Sequence, residues 1–368
     1  MIPVAEPCLG EEELKNVIEA VKSGWISSKG KFIEEFEGGF AKYCGVKYGV
    51  ATANGTAALH LALKSLGINK GDEVIVPTLT FVATANAVIY CNAKPVFVDS
   101  HPEYWCIDPE KIEERITKNT KAIIVVHLYG HPCDMDWIMD IAEDKGLYVI
   151  EDCAEAHGAE YKGKKVGSFG DIACFSFYGN KIITTGEGGM CVTDNEELAE
   201  RMRLLRDHGM SKHKKYWHEV IGFNYRMTNL QAAIGVAQLQ KLDKFVKKKR
   251  QIAKWYAEGL KELEEKGLIK LHPEMHWAKC VHWMYSILIE DKIKISRDVL
   301  MKRLEEKGIE TRPFFVPMHL LPMYSSNEKL PVAEELARKG LNLPSSVNLE
   351  ENAINLICDT INQIFRSE

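Results

Sequence analysis

The sequence predicts an α/β protein in which a mostly parallel sheet lies between helices, followed by a smaller α+β domain. Three observations carry this expectation. Between about residues 50 and 195, short β-branched runs alternate with longer helical ones. Several of the short runs lack polar alternation, so both of their faces must be buried, as in a parallel sheet covered on each side. Past Thr228 the pattern gives way to long helices, one strand-like run and Pro-punctuated loops.

Taken in order, Tyr48–Ala51 predicts a first short strand, and Thr56–Leu66 an apolar helix behind it. Strands are then expected at Glu73–Val76, Pro95–Asp99, Ala122–Val126, Leu147–Ile150, Ile172–Ser176 and Met190–Thr193. The helical patterns between them are Val82–Tyr90, Pro109–Ile116 and Met135–Lys145. Further on, Asn229–Leu242 and Phe245–Lys266 read as two helices, Val281–Ile289 as a strand and Arg297–Lys307 as a helix. Loops surround Pro313, Pro317 and Pro322. The boundary is expected near residue 245, with residues 1–245 as the large domain including an N-terminal arm, and 246–368 as the small one.

Composition excludes several classes. With 46% hydrophobic and 27% charged residues in a chain of 368, this is an ordinary globular sequence. The formal net charge is −5, and the one basic run, Lys247-Lys248-Lys249-Arg250, falls in a helical pattern as a solvated face, so no nucleic-acid partner is expected. No apolar stretch approaches the ~20 residues of a membrane span. Met1–Glu6 carries neither a basic nor an apolar leader region, so the protein is expected in the cytoplasm. Ten scattered cysteines without a Cys-x-x-Cys pair read as buried thiols. The histidines have no metal-binding spacing, so no metal is expected.

The chemistry concentrates in three segments. In Phe175-Ser176-Phe177-Tyr178-Gly179-Asn180-Lys181-Ile182-Ile183 a strand ends and a short loop presents one lysine. A loop lysine is ordinarily a surface charge. Here the apolar flank and the glycines that follow argue for partial burial, which lowers an amine's pKa and makes it a nucleophile. In Val149-Ile150-Glu151-Asp152, Asp152 stands at the carboxyl end of a buried strand, where open α/β sheets place their ligands. It is there as a helix cap or as the counter-ion of a pyridinium nitrogen. In Asn54-Gly55-Thr56-Ala57, Gly55 and Thr56 open an apolar helix whose free N–H groups suit an ordinary N-cap or a phosphate. No Gly-Lys-Ser/Thr and no Gly-x-Gly-x-x-Gly is present.

Taken in chain order, with the helix start at Gly55-Thr56, then Asp152, then Lys181 29 residues later, these segments resemble the layout of fold-type I pyridoxal-phosphate enzymes. More closely, the chain resembles the DegT/StrS family of sugar aminotransferases. The likeness rests on Gly24-Trp25-Ile26-Ser27, Asn54–Leu59, Pro77-Thr78-Leu79-Thr80-Phe81, Glu151–Ala159 and Gly222–Met227. It implies pyridoxal 5′-phosphate as cofactor, bonded to Lys181, which later moves the proton between substrate and cofactor carbons. Asp152 would pair with the ring nitrogen and Phe81 stack on the ring. Gly55, Thr56 and Ser176 would hold the phosphate, and Asn224 would reach it from the other subunit of a homodimer with shared active sites. The amino group would come from L-glutamate, which leaves as 2-oxoglutarate, and pass to a nucleotide-linked keto-sugar. The retained lysine separates the chain from the family's dehydratase branch. Glu155 departs from the glutamine common at its position near the cofactor's phenolic oxygen, and His157 is expected to be structural.

Within the family, the stretch from His208 to Ala233 and Arg312–Pro322 look most like the branch that aminates GDP-4-keto-6-deoxy-mannose at C4. Lys29 and Arg226 would then offer charge to the diphosphate, and His319 a hydrogen bond to a sugar hydroxyl. The alternatives are a UDP- or dTDP-linked keto-sugar, a non-catalytic sugar-nucleotide sensor, and a nicotinamide-dependent oxidoreductase that lacks its phosphate fingerprint.

Overall fold

The computed structural model describes residues 1–367. Seven strands form the central sheet: β1 (Tyr48–Thr52), β2 (Glu73–Pro77), β3 (Lys94–Val98), β4 (Thr120–Val126), β5 (Tyr148–Asp152), β6 (Ile172–Ser176) and β7 (Gly189–Thr193). Their spatial order is β1-β7-β6-β5-β4-β2-β3. Pairings among β2 to β6 are parallel, while β7 runs antiparallel to both β1 and β6. The expected strands are all present, shifted by a residue or two at their ends. Although the middles of the strands are largely apolar, their side chains still divide. Ile123, Val125, Val149, Ala173 and Phe175 enter one core, and Ala122, Ile124, Ile150, Ile172 and Cys174 the core on the other face. Packed around them are α1 (Glu11–Ser23), α2 (Lys31–Cys44), α3 (Gly55–Ser65), α4 (Ala83–Tyr90), α5 (Pro109–Ile112), α6 (Met135–Lys145) and α7 (Glu196–Arg206).

One expectation is corrected. The helices read as Asn229–Leu242 and Phe245–Lys266 are a single helix, α8 (Asn229–Glu265), and the boundary placed near residue 245 falls inside it. Thr228 and Gln231 close its start with a reciprocal capping box. The polar pair Asp243-Lys244 looks like a break but contains neither Gly nor Pro. The buried face runs through it, from Leu242 to Phe245, Val246, Lys249 and Ile252. Ala232 and Leu242 join the core of the large sheet; Ile252, Tyr256 and Leu260 join a third core.

That third core lies under a second sheet, made of β8 (Ile269–Lys270), β9 (Tyr285–Ile289), β10 (Arg312–Pro313) and β11 (Gly340–Leu343) in the order β8-β9-β11-β10. The expected strand from Val281 to Ile289 is regular only over its second half. Three further helices follow: α9 (Arg297–Glu306), α10 (Pro331–Lys339) and α11 (Glu351–Arg366). The first residues of the chain dock here too. The Ile2 N–H donates to Gly308 at 2.7 Å, and the Glu310 N–H to Ile2 at 3.0 Å.

The turn joining β5 to β6 is held by Glu151, whose carboxylate is fully buried. It accepts from the Gly167, Phe169 and Gly170 N–H groups at 2.8–2.9 Å, and from His127 Nε2 at 3.1 Å. His127 Nδ1 accepts from the Cys133 N–H, so the ring's proton sits on Nε2, facing the carboxylate. These donors hold Glu151 below the usual carboxylate range against the opposing effect of burial. In Glu151→Gln an NH₂ group must face one of the N–H donors. The expected result is a loss of about 3–5 kcal/mol in stability, read as a lowered denaturant midpoint with an unchanged slope.

Candidate active site

The carboxyl ends of β4, β5 and β6, the loop after β2, the start of α3 and the segments around β9 and β10 enclose a cavity of about 620 Å³. Seven of the residues singled out in the sequence line it together: Gly55, Thr56, Phe81, Asp152, Glu155, Ser176 and Lys181. At the α3 end, the Asn54 side chain caps the Ala57 N–H at 2.8 Å, and the amides of Gly55 and Thr56, before it in the first turn, have no helix partner. A Cβ on Gly55 would stand 2.7 Å from Ser176 Cβ, so only glycine lets the helix start come this close to the end of β6. Backbone donors and the Ser176 hydroxyl thus converge on one end of the cavity, a geometry suited to an anion.

Asp152 is buried at the end of β5. Its Oδ2 accepts from Thr84 Oγ1 at 2.9 Å and its Oδ1 from the Ala154 N–H at 3.2 Å. Burial raises its pKa. Glu155 Oε2 accepts from the Tyr129 N–H at 2.8 Å, and burial pushes the Glu155 carboxyl up to about 7. The Lys181 side chain is 11% exposed, and its Nζ stands 3.8 Å from Glu155 Oε1. Burial carries the Lys181 amine below its ordinary range, against the attraction of Glu155 and Asp152. The desolvated amine that the sequence predicts is therefore present, facing two carboxyl groups across a cavity. Phe81 stands at the mouth, more than half exposed, its ring 5.8 Å from that of Phe315.

His157 is buried against Phe40, Phe175 and Phe177, and burial drops its pKa to about 3. It packs in the core as a structural residue, but neither ring nitrogen has a hydrogen-bond partner, so it is not the structural hydrogen-bonder the sequence suggests.

Four other candidates are not brought to this cavity. Lys29 is exposed. Arg226 lines a separate pocket of about 240 Å³ with Arg203, Arg206 and Lys212, where it pairs with Asp207 and donates to Asn224 Oδ1 at 3.0 Å. Asn224 itself lies outside the main cavity, although its neighbour Tyr225 lines it. His319 is fully buried. Its Nδ1 is 2.7 Å from Thr78 Oγ1 and its Nε2 3.1 Å from Glu334 Oε1, so neither ring nitrogen is free for a sugar hydroxyl.

Sequence reasoning missed other lining residues. Trp283 places its ring 3.8 Å from Lys181 Nζ. Arg312, on β10 opposite Asn342, is the one arginine among the lining residues; it opens the Arg312–Pro322 segment that the sequence ties to the acceptor, although the sequence assigns no role to the arginine itself. Thr84, which orients Asp152, was read only as part of a helix. Two buried groups have metal-like spacing, His127–Glu151–Cys153 and His272–Cys280–His282. His127 is engaged at both nitrogens as described. His272 Nδ1 accepts from the Ser286 N–H at 3.1 Å, which leaves the proton on Nε2, 3.5 Å from Cys280 Sγ. That wiring is a hydrogen-bonded core, since a ligating imidazole normally donates from its other nitrogen.

Residues 7–362 match the DegT/DnrJ/EryC1/StrS aminotransferase family. The chain is 50% identical over 365 residues to GDP-perosamine synthase of Escherichia coli O157:H7, covering 99% of this chain and 98% of that one. It is 49% identical over 365 residues to GDP-perosamine synthase of Caulobacter vibrioides, with the same coverage. The structure also superposes on Spr1654 of Streptococcus pneumoniae, solved in its PLP form, with a TM-score of 0.93 and 26% identity over 100% of this chain and 99% of that one. A lysine amine in a cavity at the carboxyl ends of a mostly parallel sheet, in a chain that matches over nearly its full length, identifies it as a member of the DegT/DnrJ/EryC1/StrS aminotransferase family.

Proposed function

We propose that this chain transfers the amino group of L-glutamate to C4 of GDP-4-keto-6-deoxy-mannose, giving GDP-perosamine, with pyridoxal 5′-phosphate bound in the main cavity. The observation that carries the reading is the joint placement of Lys181, Asp152 and the α3 start around one cavity, in a chain half identical to a GDP-perosamine synthase.

The residues present fit that cofactor. The unpartnered amides of Gly55 and Thr56 and the Ser176 hydroxyl take the phosphate, and Gly55 leaves the space a Cβ would fill. Asp152, fixed by Thr84 and Ala154, presents its carboxylate to a ring N–H. Phe81 offers an aromatic face at the mouth. Once bound, pyridoxal phosphate supplies a carbonyl carbon to carry the nitrogen and a protonated ring to take up electron density from the reacting carbon. Lys181, its amine made less basic by burial, would hold that carbonyl carbon, with loss of water, and would carry the proton at the reacting carbon in each half of a ping-pong cycle. Glu155, its carboxyl pushed up to about 7 by burial, can give or take a proton beside Lys181. Arg312 offers a fixed positive charge to an anionic substrate group.

Asn224 lies outside the cavity of its own chain while its neighbour lines it, which supports a homodimer in which Asn224 completes the partner's phosphate site. No helix among the described residues is long and apolar enough to cross a membrane, and ten unpaired cysteines suit a reducing compartment such as the cytoplasm. Lys29 and Arg226 remain candidates for the diphosphate only across such a dimer, since neither reaches the cavity of its own chain.

The test compares kcat/KM for GDP-, UDP- and dTDP-linked 4-keto-6-deoxy sugars with L-glutamate as donor. The GDP sugar is expected to lead by about ten- to a hundredfold, the cost of leaving one buried polar group unpaired by a wrong base. Product NMR should place the nitrogen on C4. A preference for a UDP or dTDP sugar, or amination at C3, overturns the acceptor.

A further inference from the structure

The cycle above requires the Lys181 amine to be free, and charged for part of the time, whenever it is not bonded to cofactor. The structure shows where a free amine rests. On one side, Glu155 Oε1 lies 3.8 Å from Nζ. On another, the Trp283 ring centroid lies 3.8 Å from it, within the range of a cation–π contact and against the aromatic surface that holds a cation best.

Both partners are set by one residue. The Tyr129 N–H donates to Glu155 Oε2 at 2.8 Å, and the Tyr129 carbonyl accepts from the Trp283 N–H at 3.0 Å. Tyr129 is fully buried, and at φ 52° it adopts a left-handed conformation that a bulky residue takes only when its surroundings impose it. What imposes it is the docking of the turn onto the segment before β9 that carries Trp283. The Val281 N–H donates to the Gly130 carbonyl at 3.1 Å, and a Cβ on Gly130 would stand 2.9 Å from the backbone nitrogens of His282 and Trp283. The indole is pinned at its far edge as well, its Nε1 donating to the Asn180 carbonyl at 2.7 Å, directly before the lysine. Behind it, buried Lys249 donates to the Trp283 carbonyl at 2.8 Å and to the Ser345 carbonyl at 2.5 Å, with no carboxylate partner.

We propose that Trp283 is a positioning residue, forming with Glu155 a two-sided rest for the free amine of Lys181, held in register by the Tyr129 peptide. The proposal rests on the reading of Lys181 as the reactive amine and adds what governs that amine when it is unbonded. The charged groups that act on it are Glu155 and Asp152, which favour its charge, and Arg312, which opposes it; His157, in the core nearby with its pKa dropped to about 3 by burial, is neutral.

The experiment uses the full chain freed of cofactor. Acetylation of Lys181 by acetic anhydride is followed across neutral to alkaline pH, with the Lys181 peptide quantified by mass spectrometry. Removing the aromatic face withdraws support for the charged amine, so the midpoint in Trp283→Leu should fall below that of the unmodified chain by about half to one and a half pH units. Trp283→Phe keeps a weaker face and should fall between them. A merely structural loss changes yield or overall labelling rate, not this order of midpoints. Coincident midpoints, or a Phe variant at or above the parent, overturn the proposal, and the Trp–Phe comparison decides it alone if the leucine variant does not fold. Because no sugar and no cofactor enter the measurement, a failure of the acceptor assignment leaves this result readable, and a failure here leaves the aminotransferase reading standing.

Discussion

Lys181→Ala is expected to abolish transamination, lowering the rate of each half-reaction by at least about 10²–10⁴-fold. No neighbouring group replaces its amine. Among the residues lining the cavity the one permanent cation is Arg312, whose guanidinium cannot give up its proton, and Glu155 has no nitrogen to bond a carbonyl. The variant should still fold, because Lys181 lines a cavity, and removing its side chain enlarges that cavity without opening a close-packed core. Rapid-mixing spectra with L-glutamate alone isolate the first half-reaction. Borohydride reduction of the parent protein followed by peptide mapping should place the stable adduct on the peptide carrying Lys181 and leave the variant unlabelled. An adduct on another lysine, or appreciable turnover by the variant, removes Lys181 from its role.

Asp152→Asn should be the next most damaging change. The substitution is nearly isosteric, and an amide oxygen can still accept from Thr84 or Ala154, so the denaturant midpoint should move little. What is lost is the negative charge. Burial makes the Asp152 carboxylate costly to ionise in isolation, and the cost is recovered only opposite a positive partner. A hydrogen bond to a charged group is worth about 1.5–3 kcal/mol, and each ~1.4 kcal/mol is tenfold, so both half-reactions should slow by about ten- to a hundredfold or more. Near-normal turnover in either half-reaction would mean that Asp152 serves only to cap the turn at Ala154, the other reading open from the sequence.

The parts of the site legible in the sequence are those in which local backbone and chemistry coincide. Asp152 and Ser176 end strands whose apolar runs announce them, and Gly55 and Thr56 open a helix directly after β1. The lysine loop follows β6, with glycines that betray crowding. The segment opened by Arg312 is tied to the acceptor in the sequence, although not through Arg312 itself. Trp283 was not legible, because nothing local distinguishes a tryptophan at the head of an apolar run from a core residue. Its partner Asn180 is 103 positions away, and only the docking of the Tyr129 turn brings the two together. His319 misled for the opposite reason. A histidine in a Pro-rich loop reads as exposed, yet Thr78 and Glu334 engage both of its nitrogens in the interior. The helix break expected near Asp243 failed because two charged residues on a solvent face cost a helix almost nothing while its buried stripe continues.

The unbroken α8 has a mechanical consequence. The walls of the cavity come from both sheets, with Asp152, Ser176 and Lys181 on one side and Trp283, Arg312 and Phe315 on the other. The same 37-residue rod is packed into the core behind each. At 1.5 Å per residue it is about 55 Å long. A slack connector would let one wall swing away from the other at little cost. A rod fixed at both ends allows the walls to part only as far as it flexes, so the cleft behaves as a spring and not as a hinge. Admission of a bulky anionic sugar then depends on side chains at the rim, Phe81 and Phe315 among them, turning aside while the frame that sets Lys181 against Trp283 keeps its dimensions.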